Sequence, residues 1–234
     1  MPTAQIFTHI LELLAALAAS YYWVRTKDRT VRYFVYYLWF IVLVETLGMY
    51  PYLYDLTDNA FIQKIANSKM RHNYWLYSFY NPTTVFLIGR FLIDNMRNKT
   101  IHIIIRSLSL GYIIFAISYF LYTGTFFEQS LPYDIVVSTF IIFLMVLLYL
   151  RELMDSEKIL SFYKSPILMV LIVLTLWYIC ITPLFIYEKH FVTNNPSFIA
   201  FHYFFIGTAN IILYSWYIFA FLFSLRYKMR LVTK

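Results

Sequence analysis

One cysteine, five glycines, seven prolines and twelve acidic side chains are all that this chain of 234 residues holds of those types. The lone Cys180 excludes an internal disulfide, a cysteine-bound iron–sulfur centre and a structural zinc cluster. No two glycines lie four apart, so no GxxxG helix pair occurs, and neither a phosphate loop nor a nucleophile elbow is present. No lysine falls inside an apolar segment, which excludes a retinal Schiff base. A zinc site of His9, Glu12 and His202 is geometrically conceivable, as is a haem held by the two histidines, but the chain lacks the paired-histidine motif of seven-helix zinc hydrolases and both are set aside. No catalytic motif remains, and the chain is read as non-catalytic, with no metal and no cofactor.

Charge is scarce as well. Charged residues make up 13% of the chain, against roughly 25% in soluble domains. Hydrophobic residues reach 61% and aromatic residues 22%. The apolar residues gather in seven runs, 4–24, 31–50, 74–93, 101–122, 132–150, 166–187 and 198–225. Each is long enough for the roughly 17–25 residues that cross a hydrocarbon core as a helix. Barrel strands would be shorter and would alternate polar with apolar, so helices are the structure these runs predict. The fold class is therefore an all-α polytopic membrane protein of seven transmembrane helices, forming a single domain over 1–234. The first run reads as an uncleaved helix rather than a signal peptide, because Glu12 interrupts it and no basic residue precedes it.

The net charge of +7 is explained by topology rather than by nucleic acid. Arg25, Lys27, Arg29, Arg32, Arg97, Lys99, Arg151, Lys158, Lys164, Arg226, Lys228, Arg230 and Lys234 fall on one side of the predicted membrane. Only Lys64, Lys69, Arg71 and Lys189 fall on the other. The positive-inside rule places the N-terminus outside and the C-terminus in the cytoplasm, and anionic lipid suffices as the partner of the basic side. Arg90 and Arg106 lie near the cytoplasmic ends of their spans, with Asp94 one turn from Arg90 as its expected ion-pair partner. Tyrosine and tryptophan clusters at span ends, such as Tyr50, Tyr52 and Tyr54 or Tyr74, Trp75 and Tyr77, are read as interfacial belts. The longest extracytoplasmic loop, 55–72, reads as an ordinary interfacial loop, with a short amphipathic helix carrying Phe61, Ile62 and Ile65 beside Lys64 and Lys69 as the alternative.

Polar residues inside the spans provide the candidate site. At a rise of 1.5 Å per residue, His9 and Glu12 lie about 7–12 Å below the outer end, Glu45 about 8 Å, Asn81 about 10 Å, Thr182 about 7 Å and His202 about 6 Å. Asp134 stands just above them. Glu12 shares a helical face with Ala15, Ala16 and Ala19, which permits close approach of another helix. Two carboxyls in one such layer resist joint ionisation, so a shared proton or cation is expected. Pro82 and Pro183 free the carbonyls of Ser78 and Ile179 at the same level. One reading makes this layer an outward-facing ligand or ion site, and the other makes it a set of hydrogen bonds that fasten the helices.

The stretches Asn73-Tyr74-Trp75-Leu76-Tyr77 with Tyr80, Ser161-Phe162-Tyr163-Lys164-Ser165-Pro166, and Asn210-Ile211-Ile212-Leu213-Tyr214 carry a resemblance. They resemble segments of small uncharacterised bacterial heptahelical membrane proteins often encoded beside sensor histidine kinases. That resemblance implies the bacterial cytoplasmic (inner) membrane and a sensory or accessory role with a membrane signalling partner or a second copy of the chain. Proton- or cation-coupled transport, or membership of a membrane complex, is the competing expectation.

Overall fold

The computed structural model describes residues 3–54, 59–128, 134–156, 165–191 and 196–232, apart from the side chains of 3–4, 134–135, 187–191 and 231–232. Its described regular structure is entirely helical, and no strand occurs among the described residues. The helices are α1 (Thr3–Thr26), α2 (Arg32–Gly48), α3 (Ala60–Ala66), α4 (Tyr74–Ile93), α5 (Lys99–Thr123), α6 (Asp134–Met154), α7 (Pro166–Phe191) and α8 (Pro196–Val232). Each of the seven apolar runs forms one helix, and the short α3 lies within the long loop. Phe61 of α3 is exposed. Six helices (α1, α2, α5, α6, α7 and α8) are long and apolar enough to cross a membrane, as in an integral membrane protein. The remaining long helix, α4, is more polar because it carries Asn81, Pro82, Thr83, Thr84 and Arg90.

Helix ends follow local chemistry. Asp28 accepts a hydrogen bond from the Thr30 amide at 3.1 Å and so starts the 3-10 turn that leads into α2. Asn98 caps α5 by accepting from the Thr100 amide at 2.9 Å, as short polar side chains do at helix N-termini. Gly124, at φ +69°, closes α5 in the left-handed region that glycine adopts without strain.

The packing order is a closed ring with one helix outside it. In sequence around the ring, α1 packs on α2, α2 on α4, α4 on α6, α6 on α7, α7 on α8 and α8 on α1, while α5 leans on α4 and α6 from outside. Position in the ring shows in burial. The buried residues of α5 form one stripe, Ile105, Ser109, Tyr112 and Ala116, at the three- and four-residue spacing of a single helical face. In the inner α1, Ala15, Ala16 and Ala19 are wholly buried, as small residues at a close helix crossing should be.

The ring has two unlike ends. At the end where α1 finishes, the basic end, its interior is filled by aromatic side chains. The ring of Phe34 lies 5.1 Å from those of Phe91 and Tyr217 and 5.9 Å from that of Phe221, which itself meets Tyr22 at 5.6 Å. Packing and edge-to-face geometry, worth about 0.5–1.5 kcal/mol per aromatic pair, hold this plug together. Charges surround it. Lys228 pairs with Asp28 at 2.6 Å and Arg32 with Asp94 at 3.1 Å. Arg90 does not pair with Asp94 as sequence spacing suggests. It donates to the Tyr33 hydroxyl at 3.3 Å and lies over that ring, because α2 brings Arg32 to Asp94 from a neighbouring helix.

Candidate functional site

The opposite end of the ring, here the acid end, gathers the ionisable residues that the spans bury. Helical spacing puts His9 one turn before Glu12 on α1, and their side chains meet, with His9 Nδ1 3.0 Å from Glu12 Oε2. Across the α1–α2 contact, His9 Nε2 lies 3.1 Å from the Thr46 hydroxyl. Glu45, the neighbour of Thr46, is half-buried on α2 and within electrostatic reach of both Glu12 and His9. The Tyr214 hydroxyl of α8 faces Glu12, and the Tyr77 hydroxyl of α4 faces Glu45. Four helices thus enclose two carboxyls and one imidazole.

Proton positions follow from these bonds. Thr46 has one hydroxyl proton, and the Val42 carbonyl 2.6 Å away can only accept it. The Thr46 oxygen must then accept from His9, so Nε2 carries a hydrogen. Two arrangements remain between Nδ1 and Glu12: an imidazolium donating to a carboxylate, or a carboxylic acid donating to a neutral ring. Either way a single proton occupies that 3.0 Å gap. Glu45 is outside this exchange, and His9 is the basic group available to both carboxyls.

Close packing stabilises the arrangement. Glu12 is 5% exposed. A Cβ on Gly48 would stand 3.4 Å from the Tyr77 hydroxyl, and the Gly48 carbonyl accepts a hydrogen bond from Asn73 at 3.0 Å. The end of α2 and the start of α4 are thus in contact at Gly48. A second tyrosine pair, Tyr37 of α2 and Tyr80 of α4, continues the polar contacts further into the ring.

The residues expected in one layer divide into three groups. His9, Glu12 and Glu45 converge. Asn81 is half-buried one turn beyond Tyr77 on α4, whereas Thr182 turns to α6 and meets the Thr139 hydroxyl at 2.8 Å. His202 is buried among the rings of Phe185, Phe198 and Tyr203. It stands twelve residues before Tyr214, hence about 18 Å along α8 from the point where Glu12 meets that helix. Depth measured from the first residue of each apolar run misplaces His202, because the helices are offset along their axes: Glu12 lies nine residues into α1, whereas Tyr214, which faces it, lies eighteen residues into α8. The side chain of Asp134 lies outside the described residues.

Sequence reasoning missed Tyr77, Tyr214, Tyr37, Tyr80 and Thr46. Tyr77 resembles a belt residue, yet its hydroxyl faces Glu45. Position within the run was the available signal for Tyr37, Tyr80 and Tyr214, since a tyrosine far from either interface needs an internal partner for its hydroxyl. Among the described residues no group of three or more His, Cys, Asp or Glu side chains is arranged to hold a metal ion. In comparison with known proteins the chain matches no family model, no curated protein and no solved structure.

Proposed function

We propose that this chain is a proton-responsive sensory or accessory protein of the bacterial cytoplasmic membrane, with His9, Glu12 and Glu45 as the proton-binding site. The observation that carries this reading is the 3.0 Å contact of His9 Nδ1 with Glu12 Oε2 beside a second carboxyl, Glu45, which the Tyr77 hydroxyl faces. A shift of charge in low dielectric has large energetic consequences. The groups that face the pair are Thr46, Glu45 and Tyr37 from α2, Tyr77 and Tyr80 from α4, and Tyr214 from α8. In this reading α4 is the seventh span, since it closes the ring between α2 and α6, and an odd number of spans puts the termini on opposite sides. The basic excess then assigns the C-terminus to the cytoplasm and the acid end to the outside.

Transmission runs along α1 and α8. They meet at Glu12 and Tyr214 and again at Tyr22 and Phe221, and just beyond the end of α1 Asp28 pairs with Lys228 of α8. Movement of Tyr214 when the proton shifts reaches the Asp28–Lys228 pair through one packed seam, and the basic face presents it to a membrane partner or a second copy. Intrinsic tryptophan fluorescence tests this, because Trp39 donates to Ser20 at 2.9 Å between α1 and α2, and Trp75 to Tyr50 at 3.2 Å. Purified protein should show a reversible pH-dependent change that disappears in Glu12→Gln and in Glu45→Gln. An unchanged transition in both variants would remove the site from the mechanism. Proton-driven flux into liposomes would instead support transport, a reading that the aromatic plug disfavours.

A further inference from the structure

The helix outside the ring creates a second feature, independent of the acid end. Because α5 leans on α4 from outside, a cleft of about 340 Å³ opens beside α4, with Tyr33 of α2 on one flank and Arg106 and Leu110 of α5 on the other. Its volume falls within the roughly 300–1,000 Å³ of small-ligand clefts. Phe86, Ile93 and Leu110 give it apolar walls, and Arg90 and Arg106 both line it. Its back is tight, since a Cβ on Gly89 would stand 2.6 Å from the Ser109 hydroxyl. Neither arginine has a carboxylate partner among the described residues: Arg90 rests on Tyr33, and Asp94 is taken by Arg32. Arg106 lies seven residues, about 10 Å, into α5, where an uncompensated cation is costly in hydrocarbon.

We propose that this cleft binds an anionic phospholipid, its phosphate between the Arg90 and Arg106 guanidiniums and an acyl chain along Phe86, Ile93 and Leu110. Guanidinium suits the task because it donates two parallel hydrogen bonds to phosphate and is more weakly hydrated than ammonium. Basic clefts between helices near the cytoplasmic leaflet recognise lipid headgroups in this way. The lipid supplies the counter-charge that the protein withholds at these two positions.

The test titrates purified full-length protein in detergent micelles with phosphatidylglycerol, with phosphatidylcholine and with inorganic phosphate, and reads retained ligand by native mass spectrometry. Phosphatidylglycerol should be kept in preference to phosphatidylcholine. Arg106→Gln should weaken its retention roughly tenfold, the scale of one charge-assisted hydrogen bond. Leu110→Trp, which fills the cleft but leaves both arginines, should weaken it as well, while Arg25→Gln outside the cleft leaves it unchanged. Equal retention of the two lipids, wild-type retention by Arg106→Gln, or displacement of the lipid by inorganic phosphate at equal concentration would overturn the proposal.

Discussion

The two ends of the ring handle charge in opposite ways. At the basic end Asp28 and Asp94 each have a cation within 3.1 Å, and Glu152 accepts from the amides of Arg97 and Asn98. At the acid end two carboxyls and one imidazole share a pocket of tyrosine hydroxyls. Fixed counter-charges hold the carboxylates of the first end, whereas the proposed function has the second change its charge distribution by moving one proton. The aromatic plug fills the interior of the ring at the basic end. Ion pairs and buried carboxyls are thus segregated along the same helices.

The largest way to break this contrast is to open the plug. Phe34→Ala removes a wholly buried ring that touches four others, and should cost about 3–5 kcal/mol, read as an earlier midpoint in denaturing-detergent titration. A smaller effect is expected at the basic end. Asp28→Ala loses both the Lys228 pair and the cap on Thr30, together about 1–2 kcal/mol.

The pH dependence of that loss has a definite sign. Burial alone would raise the Asp28 carboxyl, but hydrogen bonds from Lys228 and Thr30 outweigh it and hold the group below its ordinary value. Its stabilisation is therefore complete above the unfolded aspartate value of about 3.9 and fades as the pH falls below that, towards the lower value in the folded chain. Stability measured against pH should show this acid limb in the wild type and lack it in Asp28→Ala. The smallest change sharpens the comparison at the acid end. Thr46→Val removes the acceptor that fixes the His9 tautomer, at about 0.5–1.5 kcal/mol, and should alter the fluorescence transition while leaving the Asp28 limb intact.

Much of the helix arrangement was legible beforehand for a simple reason. Runs of apolar residues have no structure open to them in lipid except the helix, and the 74–93 run coincides with α4. The end of α8 was less legible: its apolar run stops near Leu225, but the helix continues to Val232, where Lys228 reaches Asp28. Within the site, His9 and Glu12 could be paired from spacing alone, since three residues is close to one turn. Their partners could not. Thr46, Tyr77 and Tyr214 come from three other helices, and nothing local to those residues marks them as facing α1.

By itself the sequence determined that the chain is helical, that its surface is apolar and that two carboxyls must be hidden from lipid. It determined these because they depend on hydropathy and on the period of the helix, which are local properties. The tertiary structure alone decided that α5 stands outside the ring, that His202 lies away from Glu12 and that Arg32 rather than Arg90 takes Asp94. Those outcomes depend on the order, tilt and offset of helices packed side by side, and contacts of that kind join residues tens to hundreds of positions apart.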